Sequence, residues 1–106
     1  MGLFDFLRRP DINDGVKEYN NTPGAVLLDV RSPQEYQEGH IPGSKNVPLQ
    51  RLEDVSESVP DPDTPLFVYC YSGGRSGQAV SMLGGMGYSN ARNIGGIVSY
   101  SGEMEY

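Results

Sequence analysis

The chain has 106 residues, 37% of them hydrophobic, with fourteen glycines and eight prolines, a length with room for one domain, residues 1–106, with residues 1–10 as an N-terminal tail. Its formal net charge of −6 argues against nucleic acid as a partner, because phosphate-backbone binding needs a basic footprint. One cysteine and one histidine allow no internal disulfide and speak against a structural zinc site.

The tail, Met1-Gly2-Leu3-Phe4-Asp5-Phe6-Leu7-Arg8-Arg9, is apolar but broken by an acid, and its arginines follow the apolar part. A secretory signal has the reverse order. Phe6 stands where a myristoylation site needs Ser or Thr, and no segment reaches the apolar length of a membrane span. With a cysteine suited to a reducing compartment, these features predict a cytoplasmic protein with no membrane partner.

From Asp11 to Asn20, Ile12, Val16 and Tyr19 recur at helical spacing. Asn21-Thr22-Pro23-Gly24 is a turn, and Ala25 to Val30 is an apolar run suited to a strand buried on both faces. Ser32-Pro33-Gln34-Glu35 marks a helix start: Ser32 caps, Pro33 takes the first helical position and Glu35 completes a capping box. Gly39 stops that helix. After the turn Ile41-Pro42-Gly43-Ser44, residues 45–47 predict a short strand and 48–52 a helical turn. Residues 54–65, with Pro60, Pro62 and Pro65 among acids, read as a connecting loop. Leu66 to Tyr69 is the second strongly apolar strand. From Arg75, the residues Ala79, Val80, Leu83 and Met86 predict a helix ended by Gly87. Ala91 to Ile94 reads as a last strand, and Gly95 to Tyr100 as a last turn or helix. Such alternation predicts an α/β domain with a central, mainly parallel sheet flanked by helices.

Ligands of such sheets bind outside the carboxyl ends of the strands, and there the sequence sets Cys70. A lone cysteine is by itself a small buried hydrophobe. What changes the reading is the segment after it, Tyr71-Ser72-Gly73-Gly74-Arg75-Ser76, a glycine-bearing loop running into a helix start. Helix N-termini and cations lower a thiol pKa, and inward backbone N–H groups make an anion cradle. A nucleophile, its activation and a receptor for an anion thus lie in one stretch. Any anion must be held there by local dipoles and the local arginine, against the field of the whole protein.

Other chemically able residues read as support. His40 sits in the tight turn Gly39-His40-Ile41-Pro42-Gly43, where imidazole bonds local backbone. Asp29 and Arg31 flank a strand end and tie neighbouring loops, Asp29 being the better functional candidate of the two. The acidic run Glu53, Asp54, Glu57, Asp61 and Asp63 lacks metal-ligand spacing and reads as solvated surface. Of Tyr69 and Tyr71, alternation puts one in the core and makes the other a pocket wall.

The stretch from Leu28 to Ser44, LDVRSPQEYQEGHIPGS, resembles the signature of rhodanese-like domains. Val68 to Ser76 is similar to their active-site loop, and Gly84 to Ile97 to their C-terminal portion. The resemblance implies the rhodanese fold and sulfurtransferase activity without a cofactor. It implies that Cys70 takes a sulfane sulfur from a donor such as thiosulfate, forming a persulfide. Cyanide, a small thiol or a protein thiol then removes it. Arg75 is implied as the anion-binding arginine, and the amides of Tyr71, Ser72, Gly73, Gly74, Arg75 and Ser76 as the cradle. Tyr100 stands where family members often carry Trp, and the C-terminal edge of the pocket is expected to be open or completed by a partner.

Two other functions fit the same fold. Dual-specificity phosphatases with this fold have a cysteine-to-arginine loop one residue longer, sized for a tetrahedral phosphate. Here only four residues, Tyr71-Ser72-Gly73-Gly74, intervene. A persulfide carrier or binding module with little thiosulfate turnover is the other alternative.

Overall fold

The computed structural model describes residues 10–106, so the expected tail lies outside the described residues except for Pro10. Among the described residues, four strands alternate with helices: α1 (Ile12–Asn20), β1 (Val26–Asp29), α2 (Pro33–Glu38), β2 (Lys45–Asn46), α3 (Val55–Ser58), β3 (Leu66–Cys70), α4 (Gly74–Gly85) and β4 (Ala91–Gly96). Short 3-10 segments occupy Leu49–Asp54 and Ile97–Ser99. All strand pairs are parallel, in the order β2-β1-β3-β4. No helix among the described residues is long and apolar enough to cross a membrane.

Side-chain alternation in β3 divides the core. Leu66, Val68 and Cys70 face a cluster that includes Leu52, Val55, Val59, Ala79 and Leu83. Phe67 and Tyr69 face the other, with Ile12, Leu27, Ile41 and Ile94. All five β3 residues are buried, as expected of a central parallel strand covered on both faces.

The α2 capping box is formed as expected: Ser32 Oγ accepts from the Glu35 N–H, and Glu35 Oε1 accepts from the Ser32 N–H. Two segments differ from the sequence expectation: β4 continues through Gly95 and Gly96, where a turn or helix was expected, and the loop before β3 holds a helix. Within the expected loop 54–65, Val55–Ser58 is helical. Leu52, Val55 and Val59 fall three and four residues apart, and all are buried. That stripe folds the segment onto the core until Pro60 ends it.

After β1 the chain runs to β2 on one side, and the later strands β3 and β4 lie on the other. The strand order therefore reverses between β1 and β3, and crevices form at such a switch point. Asp29 ends β1 and Cys70 ends β3, with Asp29 in register with Tyr69. The topology aims this crevice at the cysteine.

Candidate active site

Cys70 is the last residue of β3, and α4 begins four residues later. Gly73 is the N-cap of α4, with φ +104°, a conformation that other residues reach only with strain. That turn points the Gly73 N–H at Cys70 Sγ, 3.0 Å away, while Ser76 Oγ from the first helical turn lies 3.4 Å from the same sulfur. Burial pushes the thiol up. The Ser76 hydroxyl and the N–H groups of Ser76, Gly73 and Ser72 outweigh it, so Cys70 lies below the ordinary cysteine range. This is the hydrogen bonding that favours a thiolate.

Tyr71, Ser72 and Gly74 are exposed, Gly73 and Arg75 half-buried, and Ser76 fully buried. The two tyrosines separate as alternation predicts. Tyr69 is fully buried, donates to Ser44 Oγ at 3.1 Å and accepts from the Ile41 N–H at 3.2 Å. Tyr71 stands half exposed on a groove that it shares with Glu38, Val98 and Met104. A second groove on the other flank of the loop is bounded by Ser72, Gly73, Asn93 and Gly96.

Arg75 is positioned by a residue that sequence reasoning placed only in a helix cap. Its two terminal nitrogens grip Glu35 Oε1 and Oε2 at 2.7 and 3.0 Å. The fork therefore braces the loop against the start of α2. Arg75 holds the Glu35 carboxyl down to about 2, with the Ser32 cap helping and burial opposing. At neutral pH the carboxylate is ionised and the brace is charged at both ends.

Asp29 and Arg31 form a second brace beneath the first. Arg31 Nε and Nη2 bond the Asp29 carboxylate at 2.7–3.1 Å, and Nη2 also donates to the Gly39 carbonyl at 2.7 Å. Asp29 is wholly buried and Arg31 nearly so, so both are loop supports at the base of the crevice. The His40 ring stacks on Tyr36 with centroids 3.7 Å apart, and Nδ1 lies 2.8 Å from the Tyr36 carbonyl oxygen. Its backbone pairs with Glu105, which brings the C-terminal segment against Gly39-His40. Among the described residues, no cluster of three or more His, Cys, Asp or Glu side chains could hold a metal ion.

Two supports of the cradle carry weak sequence signals. Gly96 lies so close to the loop that a Cβ there would overlap the Tyr71 backbone and the Ser72 Cα; its signal was the Gly95-Gly96 pair ending a strand. Asn93 bonds both Ser76 and the Gly73 carbonyl, and a polar residue in a short strand was its signal.

Comparison with known proteins places this architecture. The family model for the rhodanese-like domain matches residues 13–103, and the chain belongs to that family. It is 41% identical over 71 residues to the Escherichia coli thiosulfate sulfurtransferase PspE, covering 66% of this chain and 68% of that one. To the thiosulfate sulfurtransferase GlpE of Ectopseudomonas mendocina it is 40% identical over 73 residues, 69% of this chain and 66% of the relative. The chain thus spans about two thirds of the length of these curated relatives. A solved structure described as a rhodanese with anions from E. coli superposes with TM-score 0.71 at 36% identity, covering 76% of this chain and 96% of that one. These relatives place the chain among the sulfurtransferase enzymes.

Proposed function

We propose that this protein is a thiosulfate sulfurtransferase working through a persulfide on Cys70 in a cytoplasmic setting. The observation that carries the reading is one buried sulfur at the N-terminus of α4 with the Gly73 N–H aimed at it from 3.0 Å and the Ser76 hydroxyl within reach at 3.4 Å.

In the first step the Cys70 thiolate attacks the outer sulfur of thiosulfate. A bond forms between Sγ and that sulfur, the sulfur–sulfur bond of thiosulfate breaks, and sulfite leaves with the electron pair. Sulfite needs little proton donation, so the loop requires no general acid. In the second step a nucleophile, cyanide or the thiolate of a small or protein acceptor, attacks the terminal sulfur. Thiocyanate or a new persulfide leaves, and Cys70 returns as thiolate. The amides from Tyr71 to Ser76 hold the negative charge on donor and persulfide, an electrostatic stabilisation prepared before the reaction. The reading is tested by thiocyanate formation from thiosulfate and cyanide, assayed beside hydrolysis of an aryl phosphate. Turnover of the first without the second is expected; good phosphatase activity with thiosulfate ignored overturns it.

Arg75 has two roles in this reading: its charge attracts the donor anion, and its fork onto Glu35 holds the loop. Arg75→Ala is expected to lower kcat/KM for thiosulfate by about 1.5–3 kcal/mol, the range for hydrogen bonds to charged groups. With a neutral persulfide donor the loss is expected to be smaller. Equal losses with both donors would mean that Arg75 serves the loop alone.

A further inference from the structure

The buried Ser76 hydroxyl has more acceptors than protons. Its Oγ lies 2.7 Å from Asn93 Oδ1, 3.1 Å from the Gly73 carbonyl oxygen and 3.4 Å from Cys70 Sγ. A serine carries one O–H, so these bonds cannot all be donated at once.

The Asn93 amide is fixed in orientation by its other partners. Its Nδ2 donates to the Gly73 carbonyl at 3.1 Å, and its Oδ1 accepts from the Gly95 N–H at 2.9 Å. The opposite placement would set oxygen against carbonyl and NH2 against N–H. The backbone produces this aim. The register of β3 and β4 pairs Val68 with Asn93 and Tyr69 with Gly95, so Ile94 is an extra residue. Asn93 itself precedes this bulge, on the face of the sheet that Val68 and Ala91 turn toward α4, and the Gly95 N–H after the bulge meets its Oδ1. Because Oδ1 only accepts, the shortest of the three contacts must take the Ser76 proton.

We propose that Asn93 is a positioning residue that competes with Cys70 for the single hydroxyl proton of Ser76, and so limits how strongly the cradle stabilises the thiolate. While Cys70 is a thiol, Ser76 donates to Asn93. As negative charge develops on Sγ, the hydroxyl turns about its Cβ–Oγ bond toward sulfur and gives up the Asn93 bond. No covalent bond changes in this exchange. The inference rests on Cys70 as the reacting thiol of the function proposed above, but not on the identity of the sulfur donor. The charged groups facing this region are Asp29 at the end of β1, Arg31 just after it, Glu35 of α2 and Arg75 of α4. They are paired with one another, and the variants below leave all four in place.

The test is the pH midpoint for alkylation of Cys70 by iodoacetamide, which needs no sulfur donor and reports one site because the chain has one cysteine. Four proteins close a cycle: the parent, Ser76→Ala, Asn93→Ala and the double variant. In the parent background, Ser76→Ala is expected to raise the midpoint by only a few tenths of a pH unit. In the Asn93→Ala background the hydroxyl loses its nearest competing acceptor and keeps only the Gly73 carbonyl at 3.1 Å beside the sulfur, and the same change is expected to raise it by more than in the parent, by about one unit. A residue that merely braces the loop predicts the reverse, because a loosened Ser76 contributes less. An effect of Ser76→Ala that is equal or smaller without Asn93 overturns the proposal. If Asn93→Ala does not fold, Asn93→Asp takes its place. The stronger acceptor should shrink the Ser76→Ala effect below its parent size, and an undiminished effect overturns the proposal. Loss of sulfur transfer with an intact alkylation cycle would count against the proposed function and leave this inference standing.

Discussion

Cys70→Ser is expected to fold as the parent does and to transfer no sulfur. The side chain is buried at the end of β3 between apolar neighbours, and a serine oxygen there still finds the Gly73 N–H and Ser76 Oγ. The replacement buries a hydroxyl with its partners in place, so the stability cost is expected to be about 1 kcal/mol. The chemistry has no such tolerance. An alcohol at this position has a pKa far above the working range and cannot carry a sulfane sulfur, and the chain has no second cysteine to take over. Thiocyanate production is expected to fall to the uncatalysed background, with the circular dichroism spectrum unchanged. Substantial turnover by the folded variant would remove Cys70 from the mechanism.

The largest expected loss of stability is from Arg31→Ala. Asp29 is fully buried, and Arg31 supplies its only charged partner among the described residues. Truncation strands that carboxylate with the Arg31 backbone N–H, at 2.9 Å, as a remaining donor. It also removes the donor to the Gly39 carbonyl that ties the end of α2 to the end of β1. Breaking a buried pair from one side costs about 3–5 kcal/mol, a large share of the 5–15 kcal/mol that typically holds a domain together. Urea unfolding is expected to show this loss at neutral pH. A loss below about 1 kcal/mol would mean that water reaches the pair. Asp29→Asn combined with Arg31→Met separates pairing from charge burial, and is expected to recover part of the stability.

What the sequence made legible was what lies close along the chain. Cys70, the Gly73 turn and the start of α4 are consecutive, so strand pattern and turn chemistry alone bring thiol, cradle and arginine together. The capping box at Ser32 and Glu35 is equally local. Contacts made through space were not legible in this way. Glu35 spans forty residues to reach Arg75, and its role in the cap already explained its presence. Asn93 reaches Ser76 across seventeen residues; alternation with Ala91 sets it on the α4 face of the sheet, but not which residue of α4 it meets. The helix at Val55–Ser58 was hidden by the prolines and acids around it, although Leu52, Val55 and Val59 carried its apolar stripe.

The persulfide itself is the central claim, and mass spectrometry of the intact protein after thiosulfate treatment tests it most directly. A gain of one sulfur atom is expected, located on the peptide that contains Cys70 and absent from Cys70→Ser. Cyanide or a thiol reductant should return the protein to its starting mass. An unchanged mass under conditions in which thiocyanate accumulates would contradict the persulfide mechanism.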